Sequence, residues 1–244
     1  MVPYKLFSRM TRSKYLFHFL LRKLEPDLVL DIGSRDGRDS LDFRKASPGS
    51  DIIAFEANPQ LAERMRNDPE LARNRIRVEH CAVGAADGTA PFFVFNEARG
   101  TGSLLPRTGA GQTGQEFAVP VRRIDDVEPV KGHRRIALWI DVEGCGYDAL
   151  QGARGILGST IVVHIEVESE AYWSEQRLVS DIVGFLDEQG FVPVYERYKR
   201  GKAQGNMIFL KRETAGRFGM VKDILLFDLS QGIRKLLRLQ NGRR

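Results

Sequence analysis

Residues 28–40 read LVLDIGSRDGRDS, an apolar run followed by an acid and by two glycines four positions apart. The run Leu28–Leu30 is typical of a buried parallel strand, and the polar stretch after it predicts a sharp turn into a helix. Glycine lets a backbone approach a ligand where a Cβ would collide, and the amides at a helix start favour polar groups. Asp31, Gly33 and Gly37 therefore predict a ligand site where this strand ends.

The turn lacks the dinucleotide pattern G-x-G-x-x-G, because only Gly33 and Gly37 are present. An acid at Asp31 would repel a pyrophosphate, whereas it suits the ammonium or hydroxyl group of a ligand. A zwitterionic amino-acid group thus fits this turn better than a dinucleotide. The alternative is an ordinary strand–helix junction with no ligand.

Apolar runs alternate with helical patterns along the rest of the chain. This alternation, closed by two late strands, predicts an α/β fold with a doubly wound, mostly parallel sheet and an antiparallel edge strand. The other predicted strands are Ile52–Phe55, Ile76–Val78, Ile136–Ile140, Ile161–Ile165, Phe191–Tyr195 and Met207–Leu210, and the predicted helices are Pro59–Asn67, Tyr147–Leu157 and Glu175–Gln189.

Length and composition fit one large domain. The chain has 244 residues, of which 42% are hydrophobic, and this is enough for a single substantial core. Its two cysteines supply no disulfide or metal framework, and the N-terminus does not resemble a cleavable signal. The apolar runs are shorter than the roughly 20 residues of a spanning helix. We therefore expect a cytoplasmic protein.

Positive charge is concentrated at the two ends. Residues 1–24 hold six Lys/Arg and no acid, and residues 217–244 hold seven Lys/Arg against two Asp. The pattern predicts a basic N-terminal helical segment (1–25), a central domain (26–212) and a basic amphipathic C-terminal helix (213–244).

Two readings of the basic ends remain open. They could attach the protein to the inner face of a membrane or to another anionic partner, or they could pack against the domain itself or a second subunit. The middle of the chain is acidic, so a nucleic-acid partner is not expected.

Residues 91–121 interrupt the alternation of strands and helices. The stretch begins with PFFVF, ends with FAVPV, and holds a long Gly/Thr-rich run between them. Long glycine-rich loops in compact domains are usually functional covers or disordered, so we expect a hairpin or lid insertion. Ser103 within it is a candidate for a substrate contact, with a plain turn residue as the alternative.

Further candidates stand at the ends of the second and third strands. Glu56 lies 25 residues after Asp31, where a carboxylate can accept hydrogen bonds from both hydroxyls of a ribose. It could instead cap the following helix. His80, Cys81 and Ala82 would reach the same rim and could hold an adenine ring, or they could belong to the core.

These motifs resemble the FkbM-type methyltransferases. LVLDIGSRDGRDS, AFEANP, CAVGAADG, TGSLL, WIDVEGCGYDALQG and VVHIEVE occur in the order and spacing of that family over roughly residues 26–210. The resemblance implies a Rossmann-like class I methyltransferase fold with seven strands, S-adenosylmethionine as cofactor, and methyl transfer to a hydroxyl of a glycan or other small molecule. It implies cofactor contacts from Asp31, Gly33, Ser34, Arg35, Gly37, Glu56, Ala57, His80, Cys81, Ala82 and Asp141.

The chain also departs from that family. Many relatives have Asn at the position of Arg35, and a Glu where Gly146 stands after the DVEG block. The turn and Glu56 are retained, so these differences bear on the substrate more than on the cofactor.

Four residues at the ends of the fourth and fifth strands are candidates for catalysis. Asp141 and Glu143 follow one strand, and His164 and Glu166 end the next. A carboxylate there could orient or deprotonate an alcohol, and His has a suitable unperturbed pKa for a base. Alternatively, Asp141, Glu143 and Glu166 could bind Mg²⁺ or another hard divalent cation.

Other classes of function stay open at this point. A nicotinamide-dependent oxidoreductase is disfavoured by the missing glycine and by Asp31. A non-catalytic module that docks to a membrane or partner would keep the fold without the chemistry. The sequence does not identify the methyl acceptor or the oligomeric state.

Overall fold

The computed structural model describes residues 12–96, 101–108, 114–198, 201–216 and 219–241. Much of the predicted N-terminal segment and two stretches of the predicted 91–121 insertion lie outside these residues. The helices are α1 Ser13–Leu24, α2 Arg38–Ala46, α3 Pro59–Arg66, α4 Pro69–Arg73, α5 Gly146–Gly152, α6 Val179–Glu188, α7 Arg212–Ala215 and α8 Met220–Asn241. The strands are β1 Leu28–Ile32, β2 Asp51–Glu56, β3 Ile76–His80, β4 Ala82–Val83, β5 Gly88–Asn96, β6 Thr101–Ser103, β7 Gln115–Arg122, β8 Ile136–Ile140, β9 Thr160–Glu168, β10 Phe191–Tyr198 and β11 Gln204–Lys211.

A seven-stranded sheet in the order β10-β11-β9-β8-β1-β2-β3 forms the centre of the domain. Strand β1 pairs in parallel with β2 on one side and β8 on the other. The winding direction therefore reverses between β1 and β8, and ligands of such sheets bind at the carboxyl ends beside that reversal. Strand β11 is antiparallel to both its neighbours. The predicted doubly wound, mostly parallel sheet of seven strands is confirmed.

Local sequence explains how the helix after β2 begins. Pro59 occupies the first turn of α3, where its missing N–H costs nothing. The Asn58 side chain accepts hydrogen bonds from the backbone N–H groups of Gln60 (3.0 Å) and Leu61 (3.3 Å). Asn58 therefore caps α3, and it fixes the chain directly after Glu56.

Two helix predictions were wrong at their boundaries. The predicted helix Glu175–Gln189 begins only at Val179, because Glu175 has a left-handed φ of 59°. The predicted helix Tyr147–Leu157 is α-helical over Gly146–Gly152 and continues as a short 3₁₀ turn, Arg154–Ile156.

Helix α1 packs into the domain core. Residues Leu16, Phe17, Leu20, Leu21 and Leu24 are at most 2% exposed and share a hydrophobic cluster with α2 and one face of the sheet. The opposite face of the sheet forms a second cluster with α5 and α6. The basic residues of α1 therefore flank an apolar face that the domain needs.

A smaller sheet in the order β4-β7-β5-β6 accounts for the described part of the predicted insertion. Strands β5 and β7 pair antiparallel, with Phe92 opposite Phe117. Phe92, Val94, Val119 and Val121 form a separate apolar cluster with Ala82 of the central domain. The insertion is thereby attached beside the end of β3.

Helix α8 lies against α1 at the C-terminal end of the chain. The rings of Phe19 and Phe227 stack with centroids 4.5 Å apart, and Lys23 pairs with Asp223 at 3.1 Å. Within the described part of the chain, no helix is both long and apolar enough to cross a bilayer.

The packing of α1 can be tested with Leu20→Ala. Leu20 has no exposed surface, so its truncation leaves a cavity and should lower the free energy of unfolding by about 2–5 kcal/mol. Urea denaturation, monitored by circular dichroism, measures this loss. Tyr15→Ala, on the exposed side of the same helix, should change stability by less than about 0.5 kcal/mol. Equal, small effects of both substitutions would show that α1 does not belong to the core.

Candidate active site

A cavity of about 330 Å³ opens at the carboxyl ends of β1, β2 and β8. This volume lies within the range of about 300–1,000 Å³ typical of small-molecule sites. The turns after these strands form its floor, and the smaller sheet contributes one wall. Its lining includes Gly33, Ser34, Arg35, Glu56, Ala57, Cys81, Ala82, Phe92, Ser103, Asp141, Glu143 and Glu166.

The turn after β1 requires glycine at residue 33. Gly33 has a φ of +85°, and a Cβ placed there would lie 2.3 Å from the carbonyl oxygen of Asp141. The backbone N–H groups of Gly33 and Ser34 both donate to the carbonyl of Phe55 at 3.0 Å. The turn is therefore fixed against the ends of β8 and β2, and a side chain at residue 33 would collide with the backbone after β8. Gly37, at φ +75°, does not line the cavity and instead begins α2.

Asp31 lies behind the cavity wall. It is fully buried, and its Oδ2 accepts hydrogen bonds from Ser34 Oγ (2.7 Å) and Ser40 Oγ (2.5 Å). Within the part of the chain that the structure describes, its Oδ1 has no hydrogen-bond partner. Burial raises the pKa of Asp31 to about 7 in spite of both serines. The structure thus places Asp31 where it holds Ser34, which does line the cavity.

Glu56 stands at the edge of the cavity with its carboxylate fixed by the backbone. Its Oε2 accepts from the N–H of Arg35 and its Oε1 from the N–H of Asn58, each at 2.7 Å. A carboxylate oxygen has two lone pairs, so each oxygen can accept one further hydrogen bond. Glu56 is only 6% exposed, and burial raises its pKa to about 7.

The rim beyond β3 is small and apolar. Ala57, Cys81 and Ala82 line the cavity together with Phe92. Burial raises the pKa of the Cys81 thiol to about 12, so it stays neutral. His80 does not line the cavity, and the structure therefore does not bring it to the site with its neighbours. Phe92 was missed by the sequence analysis, although it lies in the PFFVF run of the insertion.

Ser103 fastens the insertion to the loop that follows β8. Its hydroxyl donates to the carbonyl of Glu143 at 2.6 Å and accepts from the N–H of Leu105 at 3.1 Å. The residue is buried and lines the cavity. Its hydroxyl is therefore engaged in holding the wall beside Glu143.

Carboxylates gather at the far end of the cavity. Asp141, Glu143 and Glu166 all line it, as their strand-end positions predicted. Gln204 on β11 donates to Glu166 Oε1 at 2.6 Å and lies 3.5 Å from Glu143 Oε2. A carboxylate oxygen of Glu168 lies within 4.8 Å of those of Glu143 and Glu166. Glu168 was missed, although the alternation in HIEVE continues to it.

His164 is not part of this site, contrary to the prediction of a catalytic base. Its ring is fully buried and stacks on Trp139 with centroids 3.5 Å apart, and Phe17 of α1 lies 5.9 Å away. Burial lowers its pKa to about 3, so it is neutral. His164 shares a face of β9 with Glu166, but it lies deeper in the sheet, beneath α1.

The charge of the lining is mostly negative. Asp36, Asp39, Glu56, Asp141, Glu143 and Glu166 face the cavity together with Arg35. Such a lining favours a ligand with positive charge and opposes a pyrophosphate.

Comparison with known proteins gives the family. The family model of the methyltransferase FkbM domain matches residues 31–193. The chain belongs to the FkbM methyltransferase family. The sequence-based assignment is confirmed, and this family implies S-adenosylmethionine as the methyl donor.

Two characterised relatives share part of the sequence. The 2-O-methyltransferase NoeI of Sinorhizobium fredii is 26% identical over 198 residues, covering 75% of this chain and 79% of the relative. The methyltransferase sdnD of Sordaria araneosa is 24% identical over 214 residues, covering 76% and 81%. The crystal structure of an FkbM methyltransferase from Methylobacillus flagellatus has a TM-score of 0.52 at 16% identity, covering 85% of this chain and 49% of that one. The last comparison bears on the fold alone.

The burial of Asp31 predicts a pH-dependent stability. The pKa of Asp31 is about 7 in the folded protein, above its ordinary value of 3.8. The protonated carboxyl therefore contributes its full stabilisation of the fold below pH 3.8, and this stabilisation is lost as the pH rises to about 7. The difference in unfolding free energy between the wild type and Asp31→Asn should fall between pH 5 and 7, by at most about 1.4 kcal/mol per pH unit, and then level off. Urea denaturation of the ligand-free protein at pH 5, 6, 7 and 8 measures it. Exposed Glu63→Gln is the control; a difference for Asp31→Asn that stays constant with pH would contradict the assignment.

Proposed function

We propose that this protein transfers a methyl group from S-adenosylmethionine to a hydroxyl group of a glycan or other small molecule. The observation that carries the proposal is one cavity with the fixed carboxylate of Glu56 at one end and the acids Asp141, Glu143 and Glu166 at the other. The name of the 26% identical relative, a 2-O-methyltransferase, supports oxygen as the methyl acceptor.

The residues of the cavity suit each part of the cofactor. The Gly33 turn would contact the amino-acid end, and Ser34, held by Asp31, would supply a polar group there. Glu56 would accept hydrogen bonds from the ribose hydroxyls with its remaining lone pairs. Ala57, Ala82 and Phe92 offer an apolar slot for the adenine. Asp31, Gly37 and His80 would act indirectly, since none of them lines the cavity.

The acids at the far end suit the chemistry of transfer. When bound, the cofactor would supply a methyl group activated by a sulfonium, which would pass to the acceptor oxygen as the carbon–sulfur bond breaks. Asp141 or Glu143 would orient the acceptor hydroxyl and take its proton. The products are then a methyl ether and S-adenosylhomocysteine. Ser103 holds the wall beside this end through its hydrogen bond to the Glu143 carbonyl.

Binding of S-adenosylhomocysteine should depend on Glu56. In Glu56→Gln one acceptor oxygen becomes a donor, so the Kd should rise by about 5- to 150-fold, equivalent to roughly 1–3 kcal/mol. Isothermal titration calorimetry measures the Kd. Glu63→Gln on the exposed side of α3 is the matched control and should bind like the wild type.

Two outcomes would contradict the cofactor assignment: unchanged affinity in Glu56→Gln with an unaltered melting temperature, or wild-type protein that binds NADH rather than S-adenosylhomocysteine. Transfer itself is tested by incubating the protein with methyl-labelled S-adenosylmethionine and a panel of glycans and small alcohols. Label should appear in an alkali-stable ether. Cofactor binding with no labelled product across the panel would favour a non-catalytic module.

A divalent cation is the second part of this proposal. An octahedral site with metal–oxygen distances of about 2.1 Å separates its oxygens by about 3–4 Å, and the three carboxylates of Glu143, Glu166 and Glu168 lie within 4.8 Å of one another. Glu168 is 3% exposed, and its Oε1 has no hydrogen-bond partner among the described residues. A hard cation there would draw the three together and could hold the acceptor oxygen. Asp141, expected as a ligand, is outside this group.

Mn²⁺ binding tests the cation. The wild type should bind Mn²⁺, which is measured by the loss of the free-ion signal in electron paramagnetic resonance. Glu168→Gln should raise the Kd for Mn²⁺ at least tenfold. Glu170→Gln, an exposed carboxyl two residues on, should have no effect. If the wild type binds no Mn²⁺ while it still binds S-adenosylhomocysteine, the carboxylates act on the acceptor without metal.

A further inference from the structure

The exposed large apolar side chains of the described residues all lie on α1 and α8. They are Tyr15, Leu225, Leu226, Leu229 and Ile233, with 41–53% of each exposed. Single exposed apolar residues are ordinary on a protein surface, but a group on two adjoining helices marks a contact surface.

Helix α8 has apolar residues on two opposite faces. Ile224 is 1% exposed and, with the Phe227 ring that stacks on Phe19, packs against α1. Leu225, Leu229 and Ile233 follow at intervals of four residues, so they form a stripe on the other face. From residue 225 to 233 the stripe is about 12 Å long.

Basic residues accompany this stripe. Lys222 is exposed one turn before Leu226, and Arg12, Arg22 and Lys23 are exposed on α1. Asp223 on α8 is paired with Lys23 at 3.1 Å. The segments that carry the two helices are the most basic of the chain, while its middle is acidic. The apolar stripe therefore lies on a pair of helices whose sequence segments carry net positive charge, +6 over residues 1–24 and +5 over residues 217–244.

We propose that α1 and α8 together form a docking surface for an anionic lipid bilayer. An apolar stripe among Lys and Arg side chains is the pattern of a helix that lies in the membrane interface, with its apolar face in the acyl boundary and its cations at the headgroups. A second copy of the same surface fits less well, because it would bring like charges together. The surface goes beyond the proposed methyl transfer and does not depend on it.

Vesicle binding by the full chain tests the proposal. Co-sedimentation with vesicles of phosphatidylcholine containing 30 mol% phosphatidylglycerol should retain the wild type, with at least tenfold weaker binding to pure phosphatidylcholine. The double variant Leu226→Glu/Leu229→Glu should bind the anionic vesicles at least tenfold more weakly. Both positions are exposed, so its melting temperature should match the wild type.

A matched control separates the stripe from the added charge. Ala85→Glu/Ala86→Glu adds the same two charges at exposed positions of another loop and should keep most of the vesicle binding. The proposal is overturned if the wild type does not bind anionic vesicles or if both double variants lose binding equally. A third outcome would also overturn it: the wild type binds no vesicles but forms a dimer in sedimentation equilibrium, and only Leu226→Glu/Leu229→Glu dissociates that dimer. The surface would then be a subunit interface.

Discussion

The close approach of Gly33 to the carbonyl of Asp141 is the constraint on which the site depends. At that point the chain leaving β1 passes against the end of β8, and no other residue type leaves room. The same turn is tied to β2 twice, through the Phe55 carbonyl and through the Arg35 N–H that bonds to Glu56. One tight turn thereby sets the relative positions of Glu56 and Asp141, which face opposite ends of the cavity.

Buried carboxyl groups around this turn give the ligand-free site its electrostatic character. Burial raises the pKa of Asp31, Glu56 and Glu168 to about 7 in each case, because ionised carboxylates are costly away from water. A ligand that brings positive charge and hydroxyl donors offsets that cost, whereas a pyrophosphate would add to it. The cost of burying these acids in their ionised form thus favours a positively charged ligand over a negatively charged one.

Sequence was sufficient where local pattern and strand direction determine position. β1, β2 and β8 are short buried runs, so their ends, and with them Glu56 and Asp141, were predictable. The position of His164 was not predictable, because alternation along β9 shows which face of the sheet a side chain lies on but not how far it is from the end of the strand. Glu166 is two residues, about 7 Å, nearer the strand end, and that distance separates the cavity from the core under α1. Glu168 was missed because the predicted strand ended at Ile165, although the alternation in HIEVE reaches it and β9 runs to Glu168. The position of Phe92 at the cavity depends on how the small sheet packs against the domain, and local sequence does not show that packing.

The two terminal helices show how packing restricts what a basic, amphipathic segment can do. The inner faces of α1 and α8 are already packed, through Leu20, Ile224 and the stacked rings of Phe19 and Phe227. Rotating α8 to bury Leu225 and Leu229 would expose that inner face instead, so the domain alone cannot cover both. Because an α-helix fixes the two stripes on opposite sides, the outer one is left uncovered by the part of the chain that the structure describes. The net positive charge of the two terminal segments then favours contact with an anionic surface.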